Sequence, residues 1–385
     1  MERKSERYAT RRRHRFVALS VVTFGVMMVA AQIQSAVAAS KSSTSSYKID
    51  KLIGSKGSGG KKKDAHMINA WGATFIAAAT TPFWINDEGT GVSELIDGKG
   101  KVFKSLPFVT VPGASGGTGK PTGIVGNTTG DFPIPGGTSA DFIFATDDGT
   151  IAGWNSGTTA TTIVNNSATA AYTGLALAAN GAANMLYAAN HKAPGSIDVF
   201  DANFNPVTTT GGFSDPSLPT GFTPYNITTI DGNLFVTYSN GTEDVGQVDE
   251  FDSEGNLIMS FTDPSLDEPW GLTLAPSQFG TFSNDLLVGN LGDGTVSVFN
   301  PANGEFLGQL EGKNSKPVVI SGLWSLVDGM GALHATDNAV YFTAGPDGYA
   351  EGVFGTIQAG PAIKTKKAST PMPMPGPYTL TPGMM

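Results

Sequence analysis

The feature that most narrows the fold is an internal repeat of about fifty residues, met six times along the chain. Each copy opens on a short apolar stretch holding a small residue: Ala70-Trp71-Gly72, Pro121-Thr122-Gly123-Ile124, Tyr172-Thr173-Gly174-Leu175, Pro224-Tyr225-Asn226-Ile227, Pro269-Trp270-Gly271-Leu272 and Gly322-Leu323-Trp324-Ser325-Leu326. With Gly72, Gly123, Gly174, Asn226, Gly271 and Ser325 as equivalents, the steps are 51, 51, 52, 45 and 54 residues. A fixed period in this range is the mark of stacked supersecondary units.

Within each repeat the order is the same. A second apolar run follows, such as Phe142-Ile143-Phe144-Ala145, Leu234-Phe235-Val236-Thr237 or Val340-Tyr341-Phe342-Thr343. Aromatic and β-branched runs of that length suit strands buried on both faces. Next comes a turn, often Asp/Glu-Gly-Thr as at Asp148-Gly149-Thr150, and a third strand ending in an apolar residue plus Asp or Asn, as at Phe251-Asp252. A fourth strand runs outward after another turn. This predicts an all-β fold, a six-bladed β-propeller of four-stranded antiparallel blades spanning 67–358. A β-sandwich pair would not produce the common period. The sixth repeat stops after its third strand, Val353 to Ile357, while Tyr47 to Ile53 has no partner of its own. The expectation is therefore a ring closed by the N-terminal strand 47–53, which removes two open sheet edges.

The ends differ from the repeats. Arg11, Arg12, Arg13 and Arg15 precede an uncharged apolar run from Phe16 to Ala31, followed by the small residues Ser35 to Ala39. A basic region, an apolar stretch and an Ala-x-Ala end make residues 1–39 a secretory signal, the alternative being an uncleaved anchor. The protein is thus expected to be exported, periplasmic or extracellular, with no stable membrane insertion once the signal is removed. Residues 40–66 form a Ser/Gly/Lys-rich lead-in read as largely flexible outside the closing strand, and 359–385 a flexible Pro/Met-rich tail.

Composition limits the chemistry. The first 38 residues carry seven basic and two acidic side chains, so the remainder holds 17 Lys and Arg against 31 Asp and Glu, a net charge of −14. Such a chain repels nucleic acid and anionic membranes. With no cysteine there is no disulfide, thiolate nucleophile or Cys-metal site. The partner is expected to be a small molecule, a glycan or a protein, and the chain itself a monomer.

With the repeats laid out, the sequence resembles a bacterial family of exported six-bladed propellers of uncharacterised function. The segments that carry the likeness include Pro82-Phe83-Trp84-Ile85-Asn86-Asp87-Glu88-Gly89-Thr90, Phe142-Ile143-Phe144-Ala145-Thr146-Asp147-Asp148-Gly149-Thr150, Pro269-Trp270-Gly271-Leu272 and Tyr341-Phe342-Thr343-Ala344-Gly345-Pro346. Members of that family often end in a sorting segment with a transmembrane stretch and a basic tail, a pattern that 359–385 does not carry. At greater distance the blades are similar to NHL and lactonase-type propellers.

No His-Glu-x-x-His, Walker loop or dinucleotide fingerprint occurs in the sequence. His191 and His334 are the two histidines placed in the repeats, while His66 falls in the lead-in. The candidate ligand-binding positions are the equivalents after the second strand, Asn86, Asp87, Asp147, Asn190, His191 and Asn290, with Asn226 on an inner strand. Carboxylate and amide oxygens gathered at one rim suit Ca²⁺, for which Asn190, Asn226 and Asn290 are the candidate ligands; the resemblance to lactonase-type propellers implies a comparable set. The plainer reading is that Asn and Asp serve their own turns. Trp71, Trp270 and Trp324 lie next to the axis, where their rings either stack on a sugar or flat ligand or fill the space between blades. The leading functional reading is a non-enzymatic binding or interaction scaffold. The alternatives are a Ca²⁺-dependent hydrolase or lactonase at the axial mouth and a structural envelope protein.

Overall fold

A strand buried on both faces needs a partner layer on each side, and the second strands obtain theirs from the two neighbouring repeats. In Phe83–Asp87, Phe83 and Ile85 point into a core shared with Ile53, Tyr341 and Phe354, while Trp84 points the other way to Phe142 and Phe144. In Phe142–Thr146, Ile143 and Ala145 continue the alternation toward Leu175, Leu186 and Ala188. Six such cores separate six sheets, and the computed structural model, which describes residues 45–242 and 245–362, is a six-bladed propeller.

Five blades are four-stranded antiparallel meanders in chain order, their inner strands being Ala70–Thr74, Pro121–Gly126, Tyr172–Asn180, Thr223–Ile230 and Pro269–Leu274. Blade six has Leu323–Asp328, Ala339–Ala344 and Val353–Ala362 from the end of the chain. Its outer strand is Ser45–Gly54, paired antiparallel with Tyr47 opposite Ala359, Ile49 opposite Ile357 and Lys51 opposite Gly355. The ring therefore closes as the sequence predicts. Lys62–Lys63 then pairs in parallel with Ile53 and Gly54, which adds a short edge strand to this sheet. At the other end the last strand runs to Ala362, past the boundary read at 358. The signal segment 1–39 and the tail after 362 lie outside the described residues. Among the described residues no helix is long and apolar enough to cross a membrane.

The small residues at the start of each repeat have a packing cause. A Cβ on Gly72 would collide with the carbonyl of Thr122, one on Gly123 would sit 2.5 Å from the Leu175 nitrogen, and one on Gly271 would sit 2.6 Å from the Trp324 carbonyl. The inner strands thus meet backbone to backbone around the axis. Every inner strand also breaks register there, as between Ala70 and Ala73, Pro121 and Ile124, or Leu323 and Leu326. Such irregularities bend a strand and sharpen its twist, which lets six inner strands crowd one axis.

The turns after the third strands repeat one device. Asp97 Oδ1 accepts hydrogen bonds from the Lys99 and Lys101 nitrogens, Asp201 Oδ1 from those of Asn203 and Asn205, and Asp252 Oδ1 from those of Glu254 and Asn256. These carboxylates satisfy backbone donors that a tight turn leaves unpaired.

Candidate functional site

Because each second strand ends beside the start of its inner strand, the residues singled out in the sequence gather toward one end of the axis, the upper mouth. The three tryptophans meet there. Trp71 and Trp324 stack with ring centroids 3.6 Å apart, and Trp270 sets its ring edgewise to both, at 6.4 and 5.9 Å. Trp270 Nε1 donates to the Thr173 carbonyl (3.1 Å) and Trp324 Nε1 to Asn69 Oδ1 (2.8 Å). With 8, 4 and 2% of their surface exposed, Trp71, Trp270 and Trp324 fill the axis and offer no open ring face for a ligand. Tyr225 and Tyr349 pack against Trp324 from above.

Around this plug lie Asp147 and His191, which interact electrostatically. Burial raises the Asp147 carboxyl above its usual range and lowers the His191 imidazole. His191 Nδ1 is 2.8 Å from Thr223 Oγ1, and its ring lies 5.2 Å from that of Tyr225. The three asparagines considered for Ca²⁺ are each engaged in their own surroundings. Asn190 Oδ1 accepts from the nitrogens of Ala171 and Lys192. Asn290 accepts from Asp267 N and donates to the Ser265 carbonyl. Asn226 donates to the Trp270 carbonyl (2.7 Å) and lines the axial cavity below the plug. Asn86 donates to the carbonyls of Thr122 and Gly123, fastening blade one to blade two.

Asp87 is placed differently, on the opposite face of its strand, at the seam between blades six and one. Glu94 stands opposite Ile85 in the neighbouring strand and so shares that face with Asp87, one diagonal step away. Both are buried, at 0 and 1% exposure. Both Asp87 oxygens and Glu94 Oε2 lack any hydrogen-bond partner. The lead-in brings Asp64 and His66 over them: His66 Nδ1 is 3.1 Å from Asp64 Oδ1 and 3.8 Å from Glu94 Oε1. Burial and the facing Glu94 push the Asp87 carboxyl well up, and burial with Asp64 pushes Glu94 up to about 9. Burial opposes ionisation of Asp64 too, but hydrogen bonds from the His66 backbone and side chain hold it below the usual carboxylate range. Asp64, His66 and Glu94 were missed in the sequence, yet a Glu amid the apolar positions of Val92–Ile96 was a signal of buried charge.

Further cavities are formed among the described residues, one of about 300 Å³ beside Val199, Pro206 and Phe213 in blade three and two others nearer the axis and blade one. The axial one, about 290 Å³, is lined by backbone and by Thr74, Asn226, Thr228, Thr273 and Ser325. The second is a groove of about 790 Å³ at the opposite end of blades one and two, walled by Phe103, Leu106 and Trp154 with Trp84 and Phe142 buried behind them, and with Asn127 and Asp141 at its polar edge. Trp84 stacks on Phe142 at 4.0 Å and tilts against Trp154 at 4.6 Å. Phe103 is 40% exposed. Trp84, Phe142 and Trp154 belong to strands of the repeats, whereas Phe103, Leu106 and Asn127 come from loops, and no single repeat shows that the two sets meet.

Over 336 residues the chain is 30% identical to the uncharacterised protein R648 of Acanthamoeba polyphaga mimivirus, covering 81% of this chain and 80% of R648. The chain belongs to the family of R648. A second mimivirus protein, the uncharacterised L690, is 28% identical over 337 residues, 81% of this chain and 85% of L690. These relatives are viral, which corrects the bacterial family implied by the sequence resemblance; the propeller part of that implication stands. No protein-family model matches the chain. Among solved structures it is similar to an auxiliary nutrient binding protein from Bacteroides ovatus, with a TM-score of 0.54 and 12% identity over 82% of this chain and 78% of that one. At that identity the likeness speaks for the fold alone.

Proposed function

We propose that this chain is an exported, non-enzymatic binding propeller that holds a small molecule with an apolar face in the groove between blades one and two. The observation that carries the reading is the groove itself: about 790 Å³, within the range of small-molecule sites, with aromatic walls and Asn127 and Asp141 at one edge. Burial raises the Asp141 carboxyl, so this edge presents a group able to accept or share a proton with a polar end of the ligand. Export is supported by the basic and apolar N-terminal pattern, and exclusion of nucleic acid by the acidic balance of the remaining chain.

The test is intrinsic fluorescence. Trp154 lines the groove, so titration with a panel of aromatic and aliphatic small molecules, and with oligosaccharides, is expected to shift emission for members of the first set. Trp154→Ala should abolish the response. Fluorescence unmoved by every apolar compound, or a response that survives in Trp154→Ala, would overturn the groove as the site.

A Ca²⁺-dependent hydrolase at the axial mouth is the second reading, favoured by the electrostatic proximity of Asp147 to His191, whose ring lies beside Tyr225. It requires turnover of a lactone or ester that is lost with chelator and restored by Ca²⁺. Identical rates in all three conditions, at the background level, would end it.

A further inference from the structure

Two buried carboxylates facing one another are costly if ionised and uncompensated, because the low-dielectric interior strengthens their repulsion and removes their hydration. Among the described residues no Lys or Arg lies within ion-pair distance of Asp87 or Glu94, and only His66 approaches Glu94. Asp64 and the imidazole of His66 complete a cluster of potential ligand atoms with Glu94. We propose that Asp64, His66 and Glu94, backed by the buried Asp87, form a binding site for a divalent first-row transition-metal cation, of the Zn²⁺ or Mn²⁺ type, at the seam where the ring closes.

The geometry agrees on three counts. One ligand atom from each of Asp64, His66 and Glu94 lies within 4.8 Å of the others, and an ion held about 2.0–2.5 Å from each donor requires separations of about 3–5 Å. Behind this set Glu94 Oε2 and both Asp87 oxygens are buried without a hydrogen-bond partner, and Asp87 adds negative charge beside Glu94. The ligand set is also preorganised. Thr90 Oγ1 donates to the His66 carbonyl at 2.6 Å, Ile68 N donates to that same carbonyl, and the His66 ring packs on Phe108 at 4.7 Å.

The donor chemistry selects the class of ion. An imidazole with carboxylates suits Zn²⁺ and Mn²⁺, whereas Ca²⁺ takes six to eight oxygens. Asp87 and Glu94 belong to blade one, but Asp64 and His66 belong to the segment that leads from the ring-closing strand into that blade. A bound ion therefore joins the closure strand to blade one. It stands apart from the groove between blades one and two, and its failure leaves that proposal untouched.

The full chain, dialysed against chelator, is titrated with ZnCl₂, MnCl₂ and CaCl₂ by calorimetry, and its thermal unfolding followed in parallel. One equivalent of Zn²⁺ or Mn²⁺ is expected to bind and to raise the melting temperature by several degrees through mass action. His66→Ala, whose ring is about half exposed and so leaves the fold intact, should weaken binding by at least about 10-fold and remove most of the shift. Glu94→Gln keeps the shape while removing the charge; in chelator it should be at least as stable as the parent and show no ion-dependent rise. No binding of either transition ion, a rise given only by Ca²⁺, or a shift undiminished in both variants would each overturn the assignment.

Discussion

The indole rings of Trp71 and Trp324, which lie 253 positions apart in the chain, stack at 3.6 Å with planes 16° apart and bring the first and last blades together at the axis. A contact between the two ends of the repeat array forms only when the ring is shut. It thus belongs to global closure rather than to any one blade.

Removing a buried indole deletes a large apolar contact and leaves a cavity. Trp324→Ala is expected to cost about 3–5 kcal/mol, and Trp71→Ala a comparable amount. In a double-mutant cycle the pair should show coupling of about 0.5–1.5 kcal/mol beyond the separate losses. Urea unfolding of the two single variants and the double variant measures both quantities. Strictly additive losses would mean that the stack carries no energy of its own.

The backbone approach between inner strands gives a sharper prediction, because it separates glycines that need space from glycines that do not. A methyl at Gly123 meets the Leu175 nitrogen at 2.5 Å and the Gly174 carbonyl carbon at 2.7 Å, both main-chain atoms. Gly123→Ala should destabilise by about 1–3 kcal/mol through forced separation of blades two and three. Gly130→Ala, with nothing within 4 Å of the added atom, should change stability by less than about 0.5 kcal/mol. Equal midpoints for the two variants would refute the packing argument.

How far these features could be read in advance depends on whether their cause is local. The four-strand order of a blade follows from alternation and turn chemistry inside one repeat, so Phe142-Ile143-Phe144-Ala145 and the Asp252 turn were legible. Ring closure was legible because Tyr47 to Ile53 had strand character and no partner. The register break in each inner strand was not, since it answers to the approach of the next blade. Trp71, Trp270 and Trp324 were placed at the axis, but whether their faces stayed open depended on how far they lean over it. Asp87 was visible as a polar strand end; its companions Asp64 and His66 were not, because a lead-in rich in Ser, Gly and Lys shows no local sign of its docking.

Stability should carry a pH signature from blade four. Burial raises the Asp249 carboxyl from the ordinary 3.8 to about 6, partly offset by Gln247 and Ser260, with Asp215 and the Tyr238 phenol also facing it. A carboxyl raised on folding contributes stability that is fully present below 3.8 and lost as pH rises through about 6. Asp249→Asn removes that dependence while keeping the acceptor that Gln247 Nε2 reaches at 2.8 Å. Relative to the parent, the variant should gain about 2 kcal/mol between pH 4 and pH 7. Unfolding midpoints at half-unit steps measure it, and parallel curves for the two proteins would exclude Asp249 as the source.

The ring-closing strand allows the most demanding prediction. Ser45–Gly54 supplies the hydrogen-bonding partner of Val353–Ala362, and its Tyr47 is buried among Phe279, Phe282 and Leu310 of blade five. The Tyr47 hydroxyl donates to the Phe279 carbonyl at 3.1 Å, and its backbone nitrogen to the Glu311 carbonyl at 2.7 Å. Deleting the chain through Ile53 therefore opens a sheet edge in blade six and uncovers part of the core between blades five and six. The truncated protein should lose its single cooperative transition, melting broadly and at lower temperature, with amide protons of Val353–Ala362 exchanging first. Tyr47→Phe keeps the ring and loses the hydroxyl, so it should cost only about 1–2 kcal/mol and leave the transition sharp. A truncation that melts like the parent would show that three strands suffice for blade six and that closure of this propeller does not depend on its N-terminal strand.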